Sequence, residues 1–219
     1  KVDLFIHHST SNKNNLEKLC KHNYAIIDQC ASHEKDLLSL KPINKKINTF
    51  LTIGRLEKEK NIDQVIKAFI NVSDKDDTLL VLGDGSEIEN LQKIALNKNV
   101  KFLGYVNNEK LHEIYKEVDC IVIPFYRAET GPLTGIEAMA ASKILISAKT
   151  GAMPDRLENL AFWFKNVKEL RLSIIKAKSL DDTQINKLSL KIKNRYNDHY
   201  KADVIKNKYL NAINHLVNA

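Results

Sequence analysis

Residues 50–82 read FLTIGRLEKEKNIDQVIKAFINVSDKDDTLLVL, and this stretch decides the fold. It begins with a short apolar run at residues 50–53 and ends with another at residues 78–82. Short apolar runs rich in β-branched and aromatic side chains are typical of strands that are buried on both faces. Between the runs, residues 61–72 place apolar side chains at spacings of three and four, as in a helix with one buried face. The stretch therefore predicts a strand–helix–strand unit.

The same alternation continues on the C-terminal side of this unit, to about residue 164. The further strand and helix candidates follow the same two patterns, at residues 100–103, 120–123 and 144–147 for the strands and at residues 87–97 and 110–117 for the helices. Strands that alternate with helices form a parallel, doubly wound sheet with right-handed crossovers. We therefore predict an α/β fold of the Rossmann-like type, to which residues 166–219 add C-terminal helices.

A different pattern precedes the central unit. The N-terminal segment has two short strand patterns and a polar helical pattern, at residues 2–6, 24–27 and 12–22. A linker rich in lysine and asparagine follows and ends near Asn48. We expect residues 1–47 to be the tail of a preceding domain with an interdomain linker, and residues 48–219 to be the Rossmann-like domain with its terminal helix.

The composition excludes several classes of protein. The net charge of +7 comes from 34 lysines and arginines against 27 acidic residues, but only five of the cationic residues are arginine. Because base readout and bidentate phosphate contacts favour arginine, we do not expect nucleic-acid binding. Three cysteines are too few for a disulfide framework, and no apolar run approaches the roughly 18 residues of a membrane span. No signal-peptide pattern is present, so we expect a cytoplasmic location, either free or peripheral at the inner membrane face.

Candidate binding residues follow the first strand of the central unit. Ligands of an open parallel sheet bind beyond the carboxyl ends of its strands. Gly54 and Arg55 stand at this position, and Lys60 lies just before the next predicted helix. Two cations at one strand exit can neutralise a diphosphate, and the helix N-terminus attracts an anion as well. The alternative is an ordinary polar loop whose cations are solvated.

A second candidate region follows the strand at residues 120–123. Pro132 suits the first position of a helix, with Gly131 or Thr130 as the cap. Glu129 would then precede the helix, and Glu137 would lie about two turns inside it. Because the neighbours of Glu137 are apolar, its charge needs a partner, and we interpret the two carboxylates as flanking a ligand. The alternative for Glu137 is an ordinary helical glutamate.

Together and in this order, the motifs resemble retaining glycosyltransferases of family 4. These enzymes have the GT-B fold, in which two Rossmann-like domains face each other across a cleft. The matching motifs are Gly54-Arg55-Leu56 with Lys60, Glu129 and Glu137 before Ala138-Met139-Ala140, Leu82-Gly83-Asp84-Gly85-Ser86, Phe102-Leu103-Gly104-Tyr105-Val106 and Thr150-Gly151-Ala152-Met153-Pro154-Asp155. The resemblance covers residues 48–158 and identifies them as the C-terminal, donor-binding domain. Residues 200–216 resemble the helix that returns to the first domain.

The resemblance implies a hexosyltransferase-type reaction that retains the configuration of the anomeric carbon. The sugar would pass from a nucleotide diphosphate sugar to a polysaccharide or glycolipid acceptor, such as a bacterial lipopolysaccharide or capsule, which the first domain would bind. By this resemblance the catalytic residues are Arg55 and Lys60, which would hold the diphosphate in place of a metal, and Glu129, which would face the transferred sugar. No metal or other cofactor is expected. The incomplete glycine pattern at Gly83-Asp84-Gly85 also disfavours a nicotinamide cofactor.

The resemblance also implies a set of contacts to the donor. Besides the three catalytic residues, the corresponding positions are Gly54, Gly83, Gly104, Tyr105, Val106, Gly131, Leu133, Thr134 and Glu137. Glu137 would bind the ribose hydroxyls, and the loop at residues 104–106 would contact the base.

Two other functions stay open on the sequence. A sugar-nucleotide 2-epimerase shares the two-domain architecture but needs histidine and carboxylate acid–base groups. A non-catalytic nucleotide-binding module is the second alternative. It is favoured by Thr130-Gly131-Pro132-Leu133, which stands where the family usually has Gly-Phe-Gly-Leu. Pro132 has no N–H, so one backbone donor that the family commonly aims at the donor substrate is missing.

Overall fold

The computed structural model describes residues 2–96, 98–124 and 131–217, which form eight strands and ten α-helices. The strands are β1 (Phe5–His7), β2 (Tyr24–Ile26), β3 (Thr49–Ile53), β4 (Thr78–Leu82), β5 (Val100–Gly104), β6 (Cys120–Ile123), β7 (Ile144–Ala148) and β8 (Phe162–Phe164). The helices are α1 (Thr10–Glu17), α2 (Glu34–Ser39), α3 (Ile62–Val72), α4 (Ile88–Ile94), α5 (Leu111–Glu117), α6 (Leu133–Ala140), α7 (Met153–Leu157), α8 (Val167–Lys178), α9 (Asp182–His199) and α10 (Ala202–Val217).

The main sheet has six parallel strands in the order β5-β4-β3-β6-β7-β8. The chain runs outward from β3 to β5, returns to place β6 beside β3, and then continues outward to β8. The change of direction between β3 and β6 is the switch point of a doubly wound sheet. The predicted fold class and all five strands of the central unit are therefore confirmed. Strands β1 and β2 form a separate parallel pair.

Helices cover both faces of the main sheet. Helices α3, α4 and α8 pack together on one face, while α2, α5, α6 and α9 pack on the other. Every residue of β6 and β7 is buried as a result. Burial on both faces explains why these strands are continuous apolar runs rather than alternating patterns.

Local expectations for the N-terminal segment differ from the structure. The strand predicted at residues 2–6 is observed at Phe5–His7 as β1. The helix predicted at residues 12–22 is wrong in its bounds, because α1 begins at Thr10 with Ser9 as its N-cap and ends at Glu17. None of its residues is buried, so no apolar face extends it further. The predicted linker contains the short helix α2, whose Leu37 is buried in the core.

Helix α9 ties the linker to the main sheet. The Tyr196 hydroxyl accepts a hydrogen bond from the backbone N–H of Ala31 at 3.0 Å and donates one to Glu34 at 2.6 Å. The Lys193 ammonium donates to the carbonyl oxygen of Leu38 at 2.7 Å. These bonds satisfy polar groups of a segment without strand partners and hold it against the C-terminal helices.

The loops after β3, β4 and β5 are joined through their backbones. Leu56 donates to the carbonyl oxygen of Asp84 at 2.8 Å, and Gly83 donates to that of Gly104 at 2.9 Å. Gly83 has φ +134°, and a Cβ atom there would lie 1.9 Å from the carbonyl oxygen of Gly54. Only glycine permits this approach, so the three loops form one layer.

We expect Gly83→Ala to lower the free energy of unfolding by about 2–4 kcal/mol, since it adds a backbone clash to an unfavourable φ. Urea unfolding followed by the fluorescence of Trp163 measures the change. Gly104→Ala is the matched control, because Gly104 also has a positive φ (+67°) but nothing lies within 4 Å of the added Cβ. The control is expected to lose about 1–2 kcal/mol. Equal losses in the two variants would contradict the close approach.

Candidate functional site

A crevice of about 240 Å³ opens at the carboxyl ends of β3, β4 and β5. Five predicted donor-binding residues line it together: Gly54, Arg55, Gly83, Tyr105 and Val106. The rest of the lining comes from the same strand ends and from the start of α5, at Ile53, Leu82, Asp84, Asn108 and Leu111. Residues from three separate loops, predicted one by one, thus meet in one concave surface.

Arg55 brings a positive charge to this crevice. Its side chain is 73% exposed, and a terminal guanidinium nitrogen lies 3.8 Å from Oε1 of Glu59 in an ion pair. An exposed pair at this distance contributes little free energy, so the guanidinium can turn to an entering anion. Tyr105 is also exposed and offers an aromatic face on which a flat group can stack.

Lys60 and Gly104 lie close to this crevice in sequence but are not among the described residues that line it. Lys60 ends a single 3-10 turn, Lys58–Lys60, just before α3. The carbonyl oxygen of Gly104 accepts the N–H of Gly83.

The start of α6 differs by one residue from the prediction. Pro132 was expected as the first helical residue, but its ψ of 137° is extended and it is the N-cap, so the helix begins at Leu133. Proline fixes φ and leaves ψ free, which makes both positions compatible with its ring. Glu129 and Thr130 lie outside the described residues, while Gly131 directly precedes the N-cap.

Glu137 is a buried carboxyl group on α6. Only 7% of the residue is exposed, and this burial raises its pKa from 4.5 to about 7. The hydroxyl of Tyr115 donates a hydrogen bond to Oε2 at 3.4 Å, which opposes the rise by stabilising the ionised form. Such burial disfavours the alternative of an ordinary helical glutamate.

Helix α5 connects the two parts of the predicted site. Leu111 at its start lines the crevice, and Tyr115, one turn later, contacts Glu137 and lies 3.5 Å from the carbonyl oxygen of Thr134. Leu133, Thr134 and Glu137 are not among the described residues that line the crevice. These three predicted site residues form a second group, which Tyr115 of α5 contacts through Glu137 and Thr134.

The sequence did not reveal three residues of this region, namely Tyr115, Arg156 and Asp28. Tyr115 is fully buried against Glu137, and Arg156 is fully buried in α7, where its guanidinium binds the carboxylate of Asp28. The residues around Arg156, from Pro154 to Leu157, form no sequence pattern that identifies Asp28 as its partner. The only available signal was its position just after the motif that ends at Asp155.

Further findings concern metal, membrane and redox chemistry. Across residues 2–96, 98–124 and 131–217, no three histidine, cysteine, aspartate or glutamate side chains are arranged to hold a metal ion. In the same part of the chain no helix combines the length and the apolar character needed to cross a membrane. The three cysteines are all unpaired.

The six-stranded parallel sheet and its switch point define the doubly wound, Rossmann-like class of α/β domain. Comparison with known families makes the assignment specific. Residues 36–195 match the family described as glycosyl transferases group 1, and the chain belongs to this family.

Curated relatives match about half of the chain. An uncharacterized glycosyltransferase of Methanocaldococcus jannaschii is 29% identical over 114 residues, which are 50% of this chain and 29% of the relative. Glycogen synthase of Mycoplasma mobile is 34% identical over 119 residues, or 52% of this chain and 25% of the enzyme. Alpha-monoglucosyldiacylglycerol synthase of Streptococcus pneumoniae is 31% identical over 119 residues, or 52% of this chain and 27% of that enzyme. Each match thus spans less than a third of the relative's length.

Solved structures match over the whole chain. Sucrose-phosphate synthase from Thermosynechococcus elongatus has a TM-score of 0.82 at 19% identity, over 100% of this chain and 59% of its own. The pneumococcal O-GlcNAc transferase GtfA, solved with UDP and GlcNAc, has a TM-score of 0.76 at 17% identity. The match covers 100% of this chain and 46% of the GtfA chain. At this identity the likeness shows the fold, which is of the GT-B glycosyltransferase type.

The buried carboxyl group generates a pH-dependent prediction. Because the pKa of Glu137 is about 7 in the folded chain and 4.5 without burial, the folded state binds more protons between these values. The free energy of unfolding should therefore fall as the pH rises from about 5 to 8, by on the order of 2–3 kcal/mol. Glu137→Gln should remove this fall, as measured by urea unfolding at several pH values.

The matched control for this prediction is Glu113→Gln, because Glu113 lies on the exposed side of α5. It should keep the wild-type pH dependence. If the curves of Glu137→Gln and wild type were parallel between pH 5 and 8, the burial of a titrating carboxyl group at this position would be contradicted.

Proposed function

We propose that this chain is the donor-binding part of a retaining glycosyltransferase that takes its sugar from a nucleotide diphosphate. The observation that carries the proposal is the meeting of Gly54, Arg55, Gly83, Tyr105 and Val106 in one crevice beyond the carboxyl ends of β3, β4 and β5, next to the switch point of the sheet. This is where doubly wound sheets bind nucleotides. Membership of the group 1 family supports the reaction class.

The crevice supports a specific arrangement of the nucleotide. The base lies against Tyr105 and Val106, at the end of β5, and the backbone of Gly83 forms the floor. Arg55 and Lys60, both after β3, neutralise the diphosphate. Because charge builds up on the diphosphate as it departs, fixed cations there lower the barrier.

The second group of residues supports contacts to the ribose and the phosphates. Glu137 accepts hydrogen bonds from the ribose hydroxyls, which stabilise its ionised form and offset its burial. Gly131, Leu133 and Thr134 surround the N-terminus of α6, where the free N–H groups of a helix favour a phosphate. The family resemblance assigns contacts with the hydroxyls of the transferred sugar to Glu129, which lies outside the described residues.

The reaction needs no protein nucleophile. The bond between the anomeric carbon and the phosphate oxygen breaks, and the acceptor oxygen bonds to the same face of the sugar. The proton of the acceptor hydroxyl passes to the departing phosphate. A hexose is the proposed sugar and a polysaccharide or glycolipid the proposed acceptor, since the relatives include a glycogen synthase and a monoglucosyldiacylglycerol synthase.

The diphosphate contacts are tested by Arg55→Ala and Lys60→Ala, with calorimetric titration of UDP, GDP and ADP. The best-bound nucleotide should bind each variant at least about tenfold more weakly, a loss of about 1.4 kcal/mol for one charged contact. Lys58→Ala is the matched control, because Lys58 lines a different hollow with Glu57 and Asn61. It should bind within about twofold of wild type. Undiminished binding in both test variants would refute the proposed diphosphate contacts.

The proposed absence of a metal has its own test. Since Arg55 and Lys60 supply the positive charge, the dissociation constant of the nucleotide should be the same with EDTA as with added Mg²⁺ or Mn²⁺. The titrations are repeated under both conditions at constant ionic strength, because screening alone changes the affinity of an anion. Binding that appears only with a divalent cation would contradict the metal-independent proposal.

A further inference from the structure

Arg156 is a buried cation with three directed hydrogen bonds. Its Nε and one terminal nitrogen donate to the two carboxylate oxygens of Asp28, both at 2.8 Å. Its other terminal nitrogen donates to the carbonyl oxygen of Pro132 at 2.7 Å. The arginine side chain is fully buried and that of Asp28 is 9% exposed. Because an unpaired buried charge is costly, Asp28 is what allows the guanidinium to stay at this position.

The third bond joins Arg156 to the start of α6. Pro132 is the N-cap, and its carbonyl oxygen also accepts the N–H of Gly135 at 3.1 Å, which closes the first turn. Gly131 packs directly on the guanidinium, since a Cβ atom there would lie 3.1 Å from its central carbon. The chain therefore enters α6 across the face of Arg156.

Helix α7, which carries Arg156, is held from its other side. The Arg195 guanidinium of α9 donates to the carbonyl oxygen of Arg156 and, at 2.7 Å, to that of Asp155. It also forms an ion pair with Glu158 at 2.8 Å. The position of the Arg156 guanidinium is thus fixed by α9 on one side and by Asp28 on the other.

We infer that Arg156 is a positioning residue of the donor site, which with Asp28 holds the first turn of α6 in the orientation that nucleotide diphosphate binding requires. The inference rests on the proposed function, in which Leu133, Thr134 and Glu137 of this helix contact the donor. Asp28 follows β2, so the pair also links the N-terminal segment to the donor site.

The chemistry of the pair favours positioning over simple stabilisation. A buried ion pair is often no more stable than apolar side chains of similar volume, so stability alone does not require it. An arginine fork, however, fixes both a carboxylate and a carbonyl in defined directions. Lysine carries the same charge as a single point and does not reproduce this geometry.

The test is the double variant Asp28→Leu/Arg156→Met, which removes both charges and leaves neither unpaired. We expect its unfolding midpoint in urea to stay near that of wild type. The affinity for the best-bound of UDP, GDP and ADP should nevertheless fall about tenfold. Amide hydrogen exchange at residues 135–137, the first hydrogen-bonded amides of α6, should become about tenfold faster, with exchange in α9 unchanged.

The control for a mere loss of stability is Lys178→Met. Lys178 pairs with Asp74 and Asp77 before β4, at the opposite end of the sheet from the crevice. This variant should be less stable yet bind nucleotide as wild type does. Arg156→Lys keeps the charge beside Asp28 but gives up the fork, so it should fold and still bind more weakly than wild type. It takes the place of the double variant if that chain does not fold.

The outcomes separate this inference from the proposed function. Wild-type affinity in the double variant, or in Arg156→Lys, would overturn the positioning role. If the wild-type chain bound none of the three nucleotides, the proposed function would fail. The exchange rates at residues 135–137 would then decide alone whether Arg156 holds the first turn of α6, and unchanged rates would overturn the inference.

Discussion

The crevice depends on the backbone contact between Gly54 and Gly83, at the ends of two neighbouring parallel strands. No side chain separates the two loops, so backbone hydrogen bonds continue beyond the strands and reach Leu56, Asp84 and Gly104. A layer made in this way is rigid because its atoms are part of the sheet's own hydrogen-bond network. Arg55 and Tyr105 project from this layer, and their relative placement follows from it. The concave surface is therefore a consequence of how the sheet ends.

The sequence could predict this half of the molecule because its signals are local. Continuous apolar runs such as residues 120–123 follow from burial on both faces, and the helices between them have a clear period. Once the strands are known, the residues after them must lie at one edge of the sheet, which is how Gly54 and Arg55 were found. Gly83 was predicted from the family resemblance. The errors fall where burial is slight. Helix α1 buries no residue, so nothing in its pattern marks its end.

The other half of the site depends on partners that no local pattern specifies. Asp28 and Arg156 are 128 residues apart, and Tyr115 and Glu137 are 22 apart. The apolar neighbours of Glu137 showed that it needed a partner, but neither charge, period nor spacing could name Tyr115. The sequence around Arg156 gives less indication that its charge needs a partner, since an arginine in a short helix is ordinarily solvated. Such pairs become visible only when the fold brings the segments together.

The two halves of the site also differ in a way that suits the proposed donor. Arg55 is exposed and forms a long ion pair with Glu59, so it can follow an anion that enters from solvent. Glu137 is buried, and its pKa of about 7 means that near neutral pH a large share of the empty sites carry no negative charge there. A neutral carboxyl group does not repel an incoming diphosphate, whereas hydrogen bonds from ribose hydroxyls favour its ionised form once the nucleotide is bound. Under the proposed function, Arg55 attracts the diphosphate at the crevice, and the neutral Glu137 on α6 does not repel it. Arg156 holds α6, the helix that carries Glu137.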